Sequence, residues 1–425
     1  MQAAIHVDNA AALQAAVEAG HSSIYVTGVI DRLSSLRLKP GQVLHGEGER
    51  AELHFRPGQP GVMLSADNQV SGLRLRTDLP QVAVGLSDDQ PDLGQIALSD
   101  IHCHGRVHLE AAQAKTGSLV LRNIHVANAD ARLAAHRPAG FGVEVLLGAL
   151  SVYNSSKDPA SVWQLSAYNL SAGSKAHPVR GSGVFVFGGD YIAPATDPAT
   201  APGPDTKGGQ IRVEVLETGE VWSDGGIPAG VGNLITGGVF VGSGVVAEHV
   251  HSHGAVTTFG QNDMVLDNWG TIARWQAAAP LVSHGPSGIG VVNFGQIQAL
   301  VVTAPITTHG LGARGFNLYD GSLGTGDFAA IATYGDGAIG IQLSKPFGRI
   351  TVHGNVTTTG GSGDSLVRGK VVNLKAHALS LKDGAQGERL AIEGDARAEG
   401  DGINALDLDA GRAGIGAIVV AGNSV

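Results

Sequence analysis

The sequence predicts an all-β fold, a parallel β-helix in which one coiled sheet is built from stacked turns of about 25 residues. Three observations predict this fold: a regular spacing of glycines, apolar columns with the same spacing, and a succession of short β-type runs. Glycines recur with successive differences of 25 at Gly260, Gly285, Gly310, Gly335 and Gly360. Apolar columns keep the same spacing. From Ser23 onward, short β-type runs are broken by Gly, Pro, Asn or Asp, as in SIYVTGVI and AELHF.

The composition suits such a fold. Hydrophobic residues make up 43% of the 425 positions, aromatic residues only 5%, and glycine fills 63. That balance favours a thin, regular core. The glycines show no every-third-residue period, which excludes collagen, and recurrent Val, Ile and Leu argue against disorder. We expect one β-helix domain over residues 1–425.

A short amphipathic helix is expected from Asn9 to Gly20. Asn9 can cap its start, Leu13 and Val17 share one face, and Gly20 supplies a left-handed stop. An open end of a stacked sheet exposes unpaired N–H and C=O groups. Residues 1–22 are therefore predicted to form an N-terminal cap.

Three columns of like residues stay in phase with the repeating glycine. Four residues before it stand Val256, Leu281, Ile306, Ile331 and Val356. Six residues after it stand Leu266, Val291, Phe316, Ile341 and Leu366. Two residues before it stand Thr258, Ser283, Thr308, Thr333 and Thr358. Stacked coils place such positions about 4.8 Å apart, whereas propeller blades and helical repeats need other periods. Each coil has room for three short strands and three turns.

Upstream, the register is predicted to continue with insertions, because Gly173 and Gly219 lie 46 and 41 residues before their next counterparts. The extra residues are expected to form loops at 190–209, which is rich in Pro and Gly, and at 223–233. Such loops either wall a binding face or form plain surface.

Charge and motifs exclude several classes of function. The net charge of -10, with 28 Lys and Arg against 38 Asp and Glu, argues against a nucleic-acid partner. No segment is apolar for the roughly 20 residues that span a bilayer. Cys103 is the single cysteine, and the start lacks signal-peptide features, so we expect a cytoplasmic protein unless a leader was removed. Phosphate-loop, nucleophile-elbow and dinucleotide fingerprints do not occur, and no cofactor is expected.

The pattern LxLxPGxxLxGxG from Leu36 to Gly48, with the coils after it, resembles the right-handed parallel β-helix superfamily of pectate lyases and polygalacturonases. Locally, QNDMVLDN (261–268) and SHGPSGIG (283–290) are similar to two paired polygalacturonase motifs. The resemblance implies acid–base catalysis by Asp263 with His284 beside it. The sequence departs from the family because Asn262 replaces the first aspartate, and the family's NTD and RIK motifs do not occur.

Alternation along the strand predicts a groove. Positions four and six residues after the glycine are expected to point inward, so that Asp263 and Asp267 face solvent with Val265. The next coils carry small residues at the position of Val265, and these are Gly290, Gly315 and Gly340. They would leave a shallow groove able to hold a chain of sugar rings.

A carboxylate pair is the chemistry that glycosidic bond cleavage needs. Asp263 and Asp267 lie roughly 13 Å apart if the strand is extended, too far unless it bends. Asp320 is a further candidate catalytic partner, Asp336 lies within reach, and Asp224 lies on the inserted loop. Each of them also fits a turn aspartate beside glycine, which is a common and purely structural use.

Rings and amides supply the candidate substrate-binding residues. The residues just before the glycine, among them His284, His309 and Tyr334, form either a sugar-stacking platform or a structural stack. Trp269 and Tyr319 share one register two coils apart and are the preferred stacking residues. Completing the candidate substrate-binding set are Asn262, Asn268, Asn293, Arg314 and Asp224.

Histidine runs occur twice, in IHCHGRVH (101–108) and HVHSH (249–253), and we expect the histidines of each run to share a strand face. Histidines two residues apart on a strand are separated by about 6.6 Å. No carboxylate completes a recognised zinc signature, so no metal site is expected.

These features favour a carbohydrate-active enzyme that cleaves or rearranges glycosidic bonds, either a glycoside hydrolase or an intramolecular glycosyl transferase. The alternative is a non-catalytic β-helix, either structural or carbohydrate-binding. A polysaccharide lyase or epimerase is a second alternative, but it needs clustered cations, and the coils offer only scattered Arg274, Arg314, Lys345 and Arg368. The expected partner is an oligo- or polysaccharide, and flat coil faces suit a homo-oligomer.

Overall fold

A computed structural model describes residues 4–134, 136–189, 207–367, 370–409 and 414–424. The predicted loop at 190–209 therefore lies outside the described residues except for its last three positions. In chain order the first elements are β1 (Ile5–Val7), α1 (Ala10–Ala19), β2 (Ser23–Leu33), β3 (Leu36–Arg37), β4 (Val43–Phe55), β5 (Val62–Leu64), β6 (Gln69–Arg76), β7 (Val82–Leu86), β8 (Asp92–His104), β9 (Arg106–Ala111), β10 (Thr116–Asn128), β11 (Ala139–Gly140), β12 (Val143–Val145), β13 (Gly148–Asn154), β14 (Val162–Ala172), β15 (Val179–Arg180), β16 (Ser182–Gly188), β17 (Gln210–Asp224), β18 (Leu234–Val241) and β19 (Val245–Ser252).

The elements that follow are β20 (Val256–Thr258), β21 (Asp263–Asn268), β22 (Thr271–Ala277), β23 (Leu281–Ser283), β24 (Ile289–Asn293), β25 (Gln296–Val302), β26 (Ile306–Thr308), β27 (Arg314–Leu318), β28 (Ser322–Phe328), β29 (Ile331–Thr333), β30 (Ile339–Leu343), β31 (Pro346–Val352), β32 (Val356–Thr358), β33 (Ser362–Val367), β34 (Lys370–Lys375), β35 (Leu379–Leu381), β36 (Gln386–Ile392), β37 (Ala396–Ala398), β38 (Leu406–Leu408) and β39 (Gly414–Val420).

The strands stack into a right-handed parallel β-helix with three faces, as predicted. The first face runs through β2, β4, β6, β8, β10, β14, β17, β19, β22, β25, β28, β31, β36 and β39. The second face runs through the end of β17 and then β20, β23, β26, β29, β32 and β37. The third face runs through β3, β5, β7, β9, β13, β16, β18, β21, β24, β27, β30, β35 and β38.

The 25-residue coil is confirmed between residues 256 and 358. On the second face, Val256 pairs with Leu281, which pairs with Ile306, and the ladder continues to Val356. The hydroxyl column beside it is paired in the same way, and all five of its side chains are buried. Each complete coil contributes one strand to each face, since like residues of successive coils bury one another.

The interior is a continuous apolar column that runs along the helix axis. It extends from Val7 to Ala405 and includes the fully buried rings of Trp163, Trp275 and Phe316. Burying a side chain of this size contributes roughly 1.5–3 kcal/mol, so repeated columns stabilise every coil.

The N-terminal helix is also confirmed. The Asn9 side chain accepts a hydrogen bond from the Ala12 N–H at 3.0 Å, and Gly20 ends the helix with φ +77°. Leu13 and Val17 are buried against the first coils. The helix thus covers apolar surface at one end of the stack.

The predicted column six residues after the repeating glycine is wrong at its last member, Leu366. Ile341 pairs with Leu379 rather than with Leu366. Leu366 instead lies in an antiparallel hairpin made of β33 and β34, and the second face steps from Val356 to Ala396. A hairpin of 362–375 is therefore inserted into the next coil.

The upstream register also differs from the prediction. Ser223 pairs with Thr258, so the counterpart of Gly260 is Gly225 and not Gly219. Residues 223 and 224 belong to β17, and the predicted loop at 223–233 begins only after them. The long strand β17 serves both the first and second faces, which breaks the simple spacing.

An outer layer covers much of the third face. It consists of the described residues of the segment 131–147 (131–134 and 136–147), which contain the antiparallel pair β11 and β12, and of the hairpin 362–375, whose described strands are β33 and β34. Beneath it lies a second apolar cluster that comprises Ala131, Val145, Leu147, Tyr153, Phe185, Phe187, Ile235, Phe240, Met264, Trp269, Ile289 and Val292. The third face is therefore buried on both sides along several strands.

Candidate functional site

Strand β21 carries the two predicted catalytic aspartates, and the structure buries it. Asp263, Val265 and Asp267 are each 0% exposed, so the prediction that they face solvent is wrong. Val265 and Leu266 both join the main core, because strict alternation fails at this point of the strand. Met264, expected inside, joins the outer cluster.

The glycines predicted to leave a groove point inward. A Cβ atom at Gly290 would lie 2.2 Å from Ile306 Cγ2, and one at Gly315 would lie 2.2 Å from Ile331 Cγ2. Gly340 approaches the core in the same way. Glycine is required here by close packing between two faces, and these positions form no sugar-binding groove.

Asp263 is held by backbone groups. Its Oδ2 atom accepts hydrogen bonds from the N–H of Gly225 at 3.0 Å and of Gly260 at 3.3 Å. Burial raises the pKa of Asp263 to about 7, and these N–H donors oppose that rise. The carboxyl group thus ties the start of the 225–233 insertion to the second face.

Asp267 lies in an apolar setting. In the third-face ladder it is flanked by Phe240 and Val292. Neither carboxyl oxygen has a hydrogen-bond partner among the described residues. Burial raises the pKa of Asp267 well above its ordinary value, and the nearby Trp269 indole opposes this only in part. Burial therefore favours the protonated form of this side chain.

Two further candidate carboxylates, Asp320 and Asp224, serve turns. Asp320 accepts the Gly321 N–H at 2.9 Å and lies 3.2 Å from the Lys345 ammonium. Asp224 forms an ion pair with Arg180. The structure does not bring either of them into a common exposed pocket with Asp263 or Asp267, since the latter two have no exposed surface.

Asn268 and Asn293 form an internal amide ladder. Asn268 donates from Nδ2 to Oδ1 of Asn293 at 2.7 Å, and Asn293 donates to the carbonyl of Ser322 at 3.0 Å. Both side chains are 0% exposed. Their amides satisfy the backbone at a turn between the third and first faces, and a ligand has no access to them.

The predicted ring column is a continuous stack on the surface. Ring centroids of His284 lie 5.0 Å from Phe259 and 4.9 Å from His309, and Tyr334 follows at 5.1 Å. All three pairs are within 9° of parallel. The faces between successive rings are therefore covered, whereas Tyr334 ends the column and is 49% exposed. Sugar stacking needs an open face.

Trp269 and Tyr319 are joined through Phe294, which lies between them in the same register. Centroid distances are 5.9 Å from Trp269 to Phe294 and 4.8 Å from Phe294 to Tyr319. Phe141 of the outer layer covers Trp269 edge-on at 5.1 Å. Trp269 is thus buried, whereas Tyr319 is partly exposed.

Three predicted binding residues do meet, in a cavity between the third face and the outer layer. We name it the Arg314 cavity. It spans about 590 Å³, counting the space open to solvent. Its lining consists of Phe141, Val143, Gly232, Ile235, Asn262, Met264, Ser287, Ile289, Phe294, Arg314, Asn317, Tyr319, Leu366 and Val367. Asn262 also donates to the carbonyls of Val231 and Leu234, so the 225–233 insertion is fixed as part of the wall.

A second and larger cleft opens on the third face nearer the N-terminus. We name it the Glu110 cleft. It spans about 1140 Å³, counting the space open to solvent. Its lining consists of Met63, Val82, Leu86, Asp88, His108, Glu110, Ala111, Ala112, Gln113, His136, Ser155, Ser156, Lys157 and Asp158. None of these residues was among the predicted site residues.

Glu110 links two imidazoles in this cleft. Its Oε2 atom accepts from His108 Nε2 at 2.8 Å, and its Oε1 atom accepts from His136 Nδ1 at 2.6 Å. Burial alone would raise the pKa of Glu110, but the hydrogen bonds and charges of the two imidazoles lower it to about 2. The carboxylate is therefore ionised, and both histidines are held in fixed orientations.

The two strand residues of this site could have been found from sequence. His108 and Glu110 lie two apart in RVHLEA, so both side chains leave the same side of β9. His136 could not have been found from sequence, because it lies in the outer layer that crosses the third face. Its ring also stacks on Tyr153, with centroids 5.3 Å apart.

Contrary to the prediction, the histidines of the first run do not share one strand face. His102 and His104 end β8 on the first face, whereas His108 lies on β9 of the third face. On the first face, His251, His253 and Glu217 bring possible ligand atoms within 4.8 Å of one another. Similar imidazole–carboxylate pairs recur along this face, for example His353 with Glu393 at 2.9 Å. The group fits that series, and nothing else marks it as a metal site.

No helix in the described ranges is long and apolar enough to span a membrane. Comparisons of the chain with protein family profiles, with curated protein sequences and with solved structures found no match.

Proposed function

We propose that this protein is a carbohydrate-active enzyme that cleaves or rearranges glycosidic bonds in the Glu110 cleft. The observation that carries the proposal is Glu110 itself, an ionised carboxylate whose two oxygens orient two imidazoles at the floor and wall of an open cleft. Perturbed titratable groups that converge in a cleft are typical of active sites.

The lining of the cleft favours a neutral saccharide. Hydroxyl, amide, carboxylate and imidazole groups come from several coils and can bond to many sugar hydroxyls. Asp88, Glu110 and Asp158 outnumber the one lysine, Lys157, among the lining residues. A polyanion such as nucleic acid or polyuronate would be repelled, and lyase or epimerase chemistry on uronates would lack clustered cations.

The two imidazoles can carry protons. A carboxylate that accepts one imidazole N–H fixes the tautomer and the orientation of the ring. Two imidazoles on one carboxylate can provide a proton donor for the leaving oxygen and an acceptor for an incoming water or hydroxyl. Glu110 acts as the positioning residue between His108 and His136.

We also propose that the chain is distantly related to the pectin lyase-like superfamily. Its site would then lie at a different place on the coil from the aspartates of the family's motif. Supporting it are the three-faced parallel β-helix, the capping helix and the local likeness at 261–268. The likeness does not extend to the site, because Asp263 and Asp267 are buried while His284 is exposed.

A non-catalytic saccharide-binding module is the second candidate. One observation favours it: both carboxylate oxygens of Glu110 already accept hydrogen bonds from histidines. Glu110 therefore also holds the outer layer against β9. In that case the cleft would bind sugar without changing it.

A panel of neutral oligosaccharides, followed by mass spectrometry, tests the proposal. Hydrolysis adds one water per cleaved bond, elimination adds none, and rearrangement conserves mass. Wild type is expected to convert at least one member, while Glu110→Gln and His136→Asn lose at least 100-fold in rate. Glu388→Gln, at an exposed first-face position, is the matched control. Binding without turnover by wild type would replace the proposal with the binding module.

A further inference from the structure

The Arg314 cavity contains a buried cation with only neutral partners. Arg314 is 3% exposed and projects from β27 beneath the hairpin 362–375. It donates to Gln342 Oε1 at 2.7 Å, to Ser365 Oγ at 3.1 Å and to the carbonyl of Gly312 at 3.2 Å. No carboxylate of the described residues pairs with it.

Several other arginines of this chain behave differently. Arg37, Arg132, Arg180 and Arg397 form ion pairs, and their side chains are 42–61% exposed. A buried charge is costly unless it is paired. Burial lowers the pKa of Arg314 to about 10, so the guanidinium stays protonated at neutral pH. The uncompensated charge marks a place for an anion.

A second buried polar group lines the same cavity. Asn317 is 1% exposed, and neither its Oδ1 nor its Nδ2 atom has a hydrogen-bond partner among the described residues. Leaving such groups unpaired costs about 1–3 kcal/mol. Its neighbours in the ladder, Val292 and Gln342, show that the position accepts both an apolar and a polar side chain. Asn317 therefore offers one donor and one acceptor to a bound molecule.

The rest of the cavity is apolar and aromatic. Phe141 and Phe294 lie 4.7 Å apart by centroids, and Tyr319 extends the ring wall. Met264 and Ile289 complete the apolar wall. Such a lining binds flat or apolar bodies, and the few polar groups fix their orientation.

We propose that the Arg314 cavity binds a small monocarboxylate with an apolar, ring-sized body. The carboxylate pairs with Arg314, the body lies against the rings of Phe141, Phe294 and Tyr319, and Asn317 bonds to a polar substituent. A single guanidinium balances one negative charge, which favours a carboxylate over a doubly charged phosphate. This site is separate from the Glu110 cleft and does not depend on the function proposed there.

Calorimetric titration of the full chain with benzoate, benzamide, acetate and inorganic phosphate tests the proposal. Benzoate is expected to bind saturably in the millimolar range or tighter, and at least tenfold more tightly than the other three. Arg314→Met should weaken benzoate binding by at least tenfold, whereas Arg349→Met, at an exposed first-face position, should not change it.

Asn317→Asp covers the case in which Arg314→Met fails to fold. It keeps the shape of the side chain and adds a negative charge to the cavity, so benzoate binding should again fall at least tenfold. Equal affinity for benzoate and benzamide, tighter binding of phosphate, unchanged benzoate binding in Asn317→Asp, or no benzoate binding by wild type would each overturn the proposal.

Discussion

Nδ1 of His136 lies 2.6 Å from Oε1 of Glu110, so one hydrogen bond joins the outer layer of the molecule to strand β9 of the coil. His136 belongs to the segment 131–147 that crosses the third face, and Glu110 belongs to the face itself. The same contact that defines the candidate site therefore also holds part of the cover in place.

Replacing Glu110 by Gln should destabilise the fold by about 2–3 kcal/mol, because hydrogen bonds to a charged group are lost. Urea unfolding at pH 7 measures this, and amide exchange should quicken at 131–134 and 136–137. Glu388→Gln is the control and should leave both unchanged. Equal stability of the Glu110→Gln variant and wild type would show that the two imidazole contacts do not stabilise the outer layer.

The Glu110 contribution should also depend on pH. Its folded pKa of about 2 lies below the ordinary value, so the stabilisation is complete above the unfolded pKa of about 4.3. It should disappear as the pH falls from there towards 2. The difference in unfolding free energy between wild type and Glu110→Gln, measured from pH 6 downward, should shrink over that window. A constant difference would contradict the assignment.

Asp267 should destabilise the protein as the pH rises. Its folded pKa is raised, so above about pH 4 the folded state keeps a proton that the unfolded state has released. Asp267→Val, which copies Val292 of the next coil, removes this cost. The variant should gain stability relative to wild type as the pH rises above about 4. Asp401→Asn, at an exposed site, should show no such trend.

Gly315→Ala should destabilise the coil by about 1–3 kcal/mol, as overpacking does in cores. The new methyl would lie 2.2 Å from Ile331 Cγ2, where the second face cannot retreat without disturbing its own ladder. Gly361→Ala is the control, since its nearest neighbour is 3.6 Å away. Thermal unfolding distinguishes the two, and equal melting temperatures would refute the inward packing.

Asn293→Ala should cost about 1–3 kcal/mol for each buried group that it leaves unpaired. The Nδ2 donor of Asn268 would keep only the Gly270 carbonyl as its acceptor, and the carbonyl of Ser322 would lose the Asn293 donor. Asn373→Ala, on the exposed strand of the hairpin, is the matched control and should cost well under 1 kcal/mol. Chemical denaturation of both variants gives the comparison.

The sequence predicted the inside of this molecule better than its outside. Columns such as Val256 to Val356 are repeated because stacked coils bury like on like, so spacing alone revealed them. The spacing could not show whether Asp267 is exposed or covered. It depends on segments 131–147 and 362–375, which are inserted between coils and have no period.

The same reason separates the predicted from the missed site residues. Asn262, Arg314 and Tyr319 lie on regular coils and were found, although their shared cavity also needs Phe141 and Leu366 from the outer layer. The Glu110 cleft requires His136 to meet β9 across 26 residues of chain. Only the three-dimensional structure brings these groups together.

The central claim is that the Glu110 cleft performs acid–base chemistry on a saccharide. The most direct measurement is the turnover rate of the best oligosaccharide substrate by wild type, Glu110→Gln and Asp267→Asn, compared with its affinity for each. We expect turnover by wild type and Asp267→Asn, and at least a 100-fold loss in Glu110→Gln with similar affinity. Full activity of Glu110→Gln together with an inactive but folded Asp267→Asn would contradict it.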